Sequence, residues 1–466
     1  QHELLYIVAG CDEPPALAAV AARSRYPLRR VRRKLQALAV EGFVRLEIPD
    51  GPTLVIQEDH SIETFSMRGL TRGGVRYESA EQNGVNKLLS ELLTRGTANR
   101  TAVEISHEVE SMAGSISGVS GRNTSGLSMS GLSRFFSKSF DIFADSLLGA
   151  SIPEEEFERE QKLLIQKIRG RRDKLGGVNF DQFTEAFFEP HPYGRPTIGT
   201  EESVGGLTAE DVRQFHDRLF HPRDLVISVV GDVDPADVLD KVERYFVEPE
   251  GEVGEPPEIP EPHRRTQPEL VVGDLEKEQA HVAVGFDAPL LDEQDRYHLR
   301  VLYAILSGQG GRLFYELRDR QSLAYSVHAK MLLGLDASTF SVLIGTSPEK
   351  VEQVVGGIFE QIRRVQRDGV TDEEVARAKR YLVGNHDIGL QKNSSRSLSM
   401  GLDELYGLGY KRSTEFGDQI DAVTRQDILR VAEAYLQPGR SVTSVTKPAG
   451  VEVPDDLVDG IVAQLT

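Results

Sequence analysis

Alternation of apolar and polar residues stands out in VRLEI-PDG-PTLVIQ, residues 44–57, and predicts two strands around a Pro-Asp-Gly turn. Helical spacing takes over in NGVNKLLSELLTRGTANRT, residues 83–101, an amphipathic helix closed by a Gly-Thr stop. Its polar positions hold Lys87, Ser90 and Glu91. Further on, a helix over LTAEDVRQFHDRLF (207–220) precedes a strand within DLVISVVGDV (224–233). Residues 248–269 then break every periodicity with six prolines and seven glutamates, a composition that makes a linker rather than a core. Strand patterning resumes in LVVGDLEKEQAHVAVGFDAP, and helices and strands alternate to the end. The expected division is therefore an N-terminal segment 1–42, a domain 43–247, the linker 248–269 and a domain 270–466.

The two domains repeat each other. Leu207-Thr208-Ala209-Glu210-Asp211-Val212 answers Val423-Thr424-Arg425-Gln426-Asp427-Ile428, and each opens a helix followed by Pro222 or Pro438 and a Val/Ser-rich strand. Thr208 and Thr424 stand where N-caps belong. Ile152-Pro153-Glu154-Glu155-Glu156 likewise answers Val370-Thr371-Asp372-Glu373-Glu374. Offsets of 216 and 218 residues mean two copies of one domain, an arrangement able to clamp a ligand between them.

Ahead of residue 43, LLYIVAG predicts a short apolar helix, and ALAAVAARSRYPLRRVRRKLQALAVEGF two more. Leu28, Val31, Leu35 and Leu38 recur at helical spacing. Three helices and a hairpin resemble a winged helix-turn-helix, although Val44–Ile48 fits equally as the first strand of the following domain. Seven of the twelve residues from Arg23 to Lys34 are basic. Such a helix can grip nucleic-acid phosphates or an acidic peptide; a solvated face is the plainer reading, since the whole chain carries a net charge of −19 and shows no base-reading residues.

Composition narrows the class. Hydrophobic residues make up 39% and charged residues 27% of 466, as in soluble globular proteins. No apolar run approaches the ~18 residues a membrane span needs. Cys11 is the single cysteine, which excludes an intrachain disulfide and a cysteine zinc cluster. Its setting, IVAGCDE, has the look of a lipoprotein box, but the apolar run before it is short and no basic region leads it. A cytoplasmic location is the expectation.

GVNKLLSELLTRGTANRTAVEISHEVESMAG resembles the zinc-helix region of the M16 peptidases. FEREQKLLIQKI (157–168), HPYGRPTIGT (191–200), VVGDVDP (229–235) and SGQGGRLFYELRDRQSLAYSV (307–327) extend the likeness over about residues 43–450. The resemblance implies an α+β fold of two homologous α/β-sandwich domains in a clam-shell. Active members carry Gly-x-x-His-x-x-Glu-His: two histidines one helical turn apart bind zinc, and the glutamate takes a proton from the zinc-bound water. A further glutamate arrives from a downstream helix. Laid on this chain, the ligand positions fall on Lys87, Glu91 and Lys167, and the base on Ser90. An ammonium cannot ligate zinc at neutral pH and a serine is no carboxylate base. The expectation is a chain without a metal or cofactor of its own, in which Lys87, Glu91 and Lys167 converge as an ion-pair cluster. His107, His191, His216 and His221 are scattered and fit structural roles.

What the resemblance implies is kept lies in the second domain. In M16 proteins of two short subunits, one carries zinc and the other contributes an Arg and a Tyr seven residues apart. Here these are Arg318 and Tyr325, after the glycine turn Gly308-Gln309-Gly310-Gly311. That turn lacks the Gly-Lys-Ser/Thr of a nucleotide loop. A tyrosine hydroxyl can donate to a substrate carbonyl or oxyanion, and an arginine can hold that carbonyl or orient the tyrosine. The plainer alternative is a helix-capping Arg318 and a core-packed Tyr325. The usual Arg-Gly-Leu-Ala-Tyr appears as Gln321-Ser322-Leu323-Ala324-Tyr325, with a side chain added at the turn. The expected function is the zinc-less subunit of a heterodimeric peptidase, with substrate-binding residues Arg318, Tyr325, Gly310 and Gly311, zinc in the partner, and a peptide substrate. The alternative is a peptide-binding or scaffold protein without chemistry, its N-terminal segment recognising nucleic acid or a leader peptide.

Overall fold

The computed structural model describes residues 6–8, 42–247, 256–263 and 265–465. These form two compact units, and neither is a continuous half of the chain. The first comprises residues Gln1–Ile165, Thr197–Pro257 and Gly389–Thr414; the second comprises Gln166–Pro196, Glu258–Ile388 and Glu415–Thr466.

The first unit is built on a seven-stranded sheet in the order β1-β2-β3-β7-β4-β6-β5. Its strands are β1 (Tyr6–Val8), β2 (Phe43–Glu47), β3 (Thr53–Glu58), β4 (Thr64–Arg72), β5 (Ser115–Ser120), β6 (Thr124–Leu132) and β7 (Val226–Gly231). All neighbours are antiparallel except β3 and β7. The Pro-Asp-Gly turn joins β2 to β3, with Asp50 at φ 56°. Phe43–Glu47 thus belongs to this sheet, which decides what the sequence left open. Tyr6–Val8, expected within an apolar helix, is instead a strand beside β2. An aromatic and two β-branched residues suit that edge better than a helix. The winged helix, the basic segment 23–34 and Cys11 lie outside the described residues.

The second unit carries a five-stranded sheet in the order β10-β11-β9-β12-β8. These are β8 (Glu269–Asp274), β9 (Ala280–Asp287), β10 (Ser326–Leu332), β11 (Thr339–Thr346) and β12 (Val442–Lys447). Its one parallel pair is β12 with β8. Reversed, this order matches β3-β7-β4-β6-β5 strand for strand, parallel pair included, so the sequence repeat is a repeat of topology. β5 and β10 are equivalent end strands.

Matching helices complete the repeat. We label α1 (Val85–Leu92), α2 (Glu154–Arg172), α3 (Leu175–Phe188), α4 (Ala209–Leu219), α5 (Asp372–Leu390), α6 (Asn393–Leu405) and α7 (Arg425–Tyr435). α2 and α5 are each 19 residues long, and α4 and α7 each 11. Thr208 and Thr424 both close capping boxes, with Asp211 and Asp427. The helix that follows each long helix leaves its own half of the sequence. α3 packs in the second unit, where buried Asn179 donates to the Ser444 carbonyl at 3.0 Å and to Thr446 Oγ1 at 3.2 Å. The Phe183 ring lies where a Cβ on Gly285 would stand, 2.1 Å from Cζ. α6 packs in the first unit, where the buried Ser228 hydroxyl donates to the Ser397 carbonyl at 2.7 Å.

Alternation along β7 explains why all six of its residues are buried. Val226 and Val230 pack with Met400 and Leu405 of α6. Ile227 faces the other way, toward Phe143 and Leu147 of the helix Phe136–Leu148, which meet over Gly69. Both faces are covered, and the strand reads as an apolar run interrupted by Ser228, whose hydroxyl is satisfied by the Ser397 carbonyl.

Candidate functional site

α1 is held by features of its ends and faces. Gly84, its N-cap, takes φ 100°, and a Cβ there would stand 2.7 Å from Val204 Cγ2. Glu78 is buried and receives the helix start: its carboxylate accepts from Asn83 Nδ2 at 2.7 Å, Gly84 N at 3.0 Å and Asn86 N at 2.9 Å. An anion at a helix N-terminus satisfies orphan amides and complements the dipole. Val85, Leu88, Leu89 and Leu92 are fully buried on the inner face, each contributing about 1.5–3 kcal/mol as an upper estimate. Toward β5 the helix backbone comes so close that a Cβ on Gly118 would lie 1.8 Å from the Ser90 carbonyl oxygen.

Lys87, Ser90 and Glu91, three of the four positions singled out in the sequence, lie on this helix. Lys87 Nζ and Glu91 Oε1 form an ion pair at 2.8 Å, both side chains about a quarter exposed. Ser90 is buried and donates its hydroxyl to the Lys87 carbonyl at 2.8 Å. Lys167 is exposed on α2, in the stretch that belongs to the second unit. The donor set on α1 does not fit zinc: one carboxylate engaged by an ammonium, and a hydroxyl engaged by a backbone carbonyl. Among the described residues, no group of three or more His, Cys, Asp or Glu is placed to hold a metal ion. His216 is buried with Nε2 2.9 Å from the Leu147 carbonyl. Buried His191 packs edge-on to Tyr193 with Nε2 3.3 Å from Asp336. Both are structural histidines, and His107 is exposed.

Two carboxylates escaped the sequence reading. Glu78 is one. The other is Glu160 on α2, buried at 3% exposure with Arg95 Nε 2.9 Å away. A signal existed for it: Phe157, Glu160, Leu164 and Ile168 share the buried face of α2, so Glu160 is an acid at an apolar position.

The second unit holds the other constellation. Gly308 takes φ 76° in the glycine turn. Gly311 has no room for a side chain, since a Cβ would meet the Ser307 carbonyl at 2.2 Å, whereas Gly310 borders open space. The π-helix Phe314–Arg320 follows, with Arg318 over the Phe314 ring at 4.6 Å. Ser322 then adopts φ 51° and reverses the chain. The Ser322 amide donates to the Arg318 carbonyl at 3.1 Å and the Leu323 amide to the Leu317 carbonyl at 2.8 Å. This is a left-handed helix closure widened to suit a π-helix. Tyr325 enters the sheet through its amide, 2.8 Å from the Gly345 carbonyl. Its side chain is 58% exposed, which rules out core packing. Arg318 is exposed as well. The π-helix stands where the first unit has the helix Ala102–Ser111, each leading into its end strand, β10 or β5.

Two family models cover this chain: residues 54–201 match insulinase (peptidase family M16), and residues 206–382 match the peptidase M16 inactive domain. A protein of Mycobacterium leprae is 29% identical over 398 residues, covering 85% of this chain and 89% of its own. One of Streptomyces coelicolor is 28% identical over 445 residues, covering 92% and 96%. Both are named uncharacterized zinc proteases. Among solved structures, a protease from Helicobacter pylori superposes with a TM-score of 0.81 at 21% identity, covering 87% of this chain and 99% of that one. A peptidase M16 inactive domain from Pseudomonas fluorescens gives 0.79 at 18%, covering 88% and 100%. A chain of complex III2 from Candida albicans gives 0.77 at 15%, covering 90% and 99%. With both domain models in order along one chain and the same fold in these structures, the chain belongs to the M16 peptidase family.

Proposed function

We propose that this chain is the zinc-less subunit of an M16-type peptidase, working with a zinc-bearing partner and presenting Arg318 and Tyr325 to a bound peptide. One observation carries the reading: Tyr325 is 58% exposed at the head of an end strand, directly after the turn that follows Arg318, while the α1 donor set is unfit for zinc. A phenol kept in solvent beside a strand edge is available to a substrate carbonyl. Such an edge can take an extended peptide as an added strand, and β10 has a neighbour on one side only among the described residues.

The test is reconstitution. The chain is mixed with zinc-bearing M16 subunits of its host, and cleavage of a fluorogenic peptide is followed. Tyr325→Phe and Arg318→Ala should each lower turnover, by about 10²-fold if the group stabilises an oxyanion, while co-elution with the partner persists. Unchanged turnover in both variants refutes the role. So does stoichiometric zinc in the isolated chain with chelator-sensitive hydrolysis. A second reading is a binding or scaffold protein of this fold, in keeping with an α1 donor set unfit for zinc. It predicts that no mixture cleaves peptide.

A further inference from the structure

The first unit contains a pocket of about 490 Å³ that plays no part in the reading above. It opens where β4 ends and β7 begins. Its walls carry four guanidinium groups, Arg45, Arg72, Arg218 and Arg223, against two carboxylates, Asp224 and Glu404. In a chain of net charge −19 this is a local excess of positive charge.

The four arginines are not equivalent. Arg45 is neutralised, with Nε 2.6 Å from Glu404 and Nη2 2.7 Å from Glu47. Arg223 is neutralised by Asp50 at 2.6 Å. Arg72 and Arg218 have no carboxylate at ion-pair distance among the described residues: Arg72 Nε donates to the Leu405 carbonyl at 3.2 Å, and Arg218 Nη2 donates to the Tyr77 carbonyl at 3.2 Å while its guanidinium lies 4.9 Å from the centre of the Phe215 ring. Arg218 Nε is buried and has no hydrogen-bond partner among those residues. Asp224 reaches neither guanidinium at ion-pair distance, and burial pushes its carboxyl above the usual range despite His221 and Arg72. Burial also pulls the Arg218 guanidinium below its ordinary value. A half-buried guanidinium with an idle N–H is costly unless an anion meets it.

We infer that this pocket binds an oxyanion, a phosphate or carboxylate group borne by a small soluble ligand, through Arg72 and Arg218. The planar fork of arginine suits both groups, and the room exceeds what a bare ion fills. Arg45 and Arg223, already paired, shape the mouth rather than supply charge. The inference is independent of the peptidase reading, because every lining residue belongs to the first unit and none comes from α1 or the Arg318–Tyr325 segment.

The experiment is calorimetric titration of the full chain at low salt with four probes: inorganic phosphate, pyrophosphate, a tripeptide with a free C-terminal carboxylate, and its amide. Saturable one-to-one binding of either phosphate probe, or of the free peptide but not its amide, is expected, and the pair of outcomes separates the two sources. Arg72→Gln and Arg218→Gln should each weaken it about tenfold or more. Arg72→Lys, which keeps the charge, should lose less, and Arg425→Gln on α7, which does not line the pocket, should lose nothing. Circular dichroism and an unfolding midpoint establish that each variant is folded. Absence of binding by all four probes overturns the inference. So does binding that both glutamine variants retain, or that Arg425→Gln weakens equally.

Discussion

Ser322 closes the turn between the π-helix and β10 in a backbone conformation that favours glycine, and this makes its cost measurable. At φ 51° it sits in the left-handed region, where an L side chain costs roughly 1–2 kcal/mol. Its hydroxyl makes no hydrogen bond among the described residues, so none is lost on removal. The bonds that fix the turn are backbone bonds: Ser322 N to the Arg318 carbonyl, and Lys350 Nζ to the Ser322 carbonyl at 2.9 Å. Ser322→Gly should therefore relieve the strain and give back about 0.5–1 kcal/mol through the freer unfolded chain. The net expectation is a gain of about 0.5–1 kcal/mol. Ser322→Val sets the opposite sign, because a β-branched residue is a genuine outlier at positive φ and should lose about 1 kcal/mol or more. Thermal unfolding of the second unit reads both, as shifts of about +1 to +3 °C for glycine and about −2 to −4 °C for valine. Hydrogen exchange at the Leu323 and Tyr325 amides localises the effect. Equal midpoints for the two variants, or a lower one for glycine, would show that the turn is not strained and that a serine was accepted there at no cost.

Two further perturbations address other elements. Gly118→Ala forces a Cβ against the Ser90 carbonyl, 1.8 Å away in the present geometry. Because the obstacle is helix backbone, α1 must shift off β5, and a loss of about 3 kcal/mol is expected, read as an early unfolding transition; a wild-type midpoint would refute so close an approach. Asp295 accepts from both arms of Arg430 and from Tyr435, and the Arg430 hydrogen bonds hold its carboxyl down to about 2 from 3.8. A lowered folded pKa means the stabilisation is complete above pH 3.8 and is lost as pH falls toward 2. Arg430→Gln should thus narrow the gap in midpoint between pH 5 and pH 2, whereas an unchanged pH profile would remove the pair from the acid response.

The order of elements was legible because each has its own period and its own punctuation. The hairpin around Asp50, the capped helices at Thr208 and Thr424, and the strands after Pro222 and Pro438 all stand where pattern placed them. What pattern could not give is the partner of an apolar face. α3 and α6 each show a buried stripe, but nothing in Phe183 or Met400 says that the face it meets belongs to the other half of the chain. The exchange rests on complementary detail, Gly285 under a phenyl ring and Ser228 under a helix carbonyl, visible only once both surfaces exist. The candidate site divides the same way. Lys87 and Glu91 form the ion pair that their helical spacing allows. The π-helix under Arg318 has no period of its own to announce it, and two of the three Glu78 hydrogen bonds cited above come from backbone amides that any sequence supplies.

That division also shows what holds α1 in place. Everything that positions α1 is independent of a metal: the Glu78 carboxylate on its first amides, Gly84 against Val204, four buried apolar side chains, and Gly118 beneath the Ser90 carbonyl. Lys87 and Glu91 project from the remaining face, each side chain about a quarter exposed. Exchange of a histidine for Lys87 or Glu91 there leaves the helix in place. The new pair is only about a quarter exposed but makes a modest contribution, since a Lys preceding Glu by four residues is the weaker orientation on a helix. Selection on the fold and selection on the metal therefore act on different atoms of one element. It follows that a double substitution at Lys87 and Glu91 should leave the unfolding midpoint within about 1 kcal/mol of wild type, while a single methyl group at Gly118 should not. The reverse ranking would mean that the ion pair, rather than the packing, holds the helix.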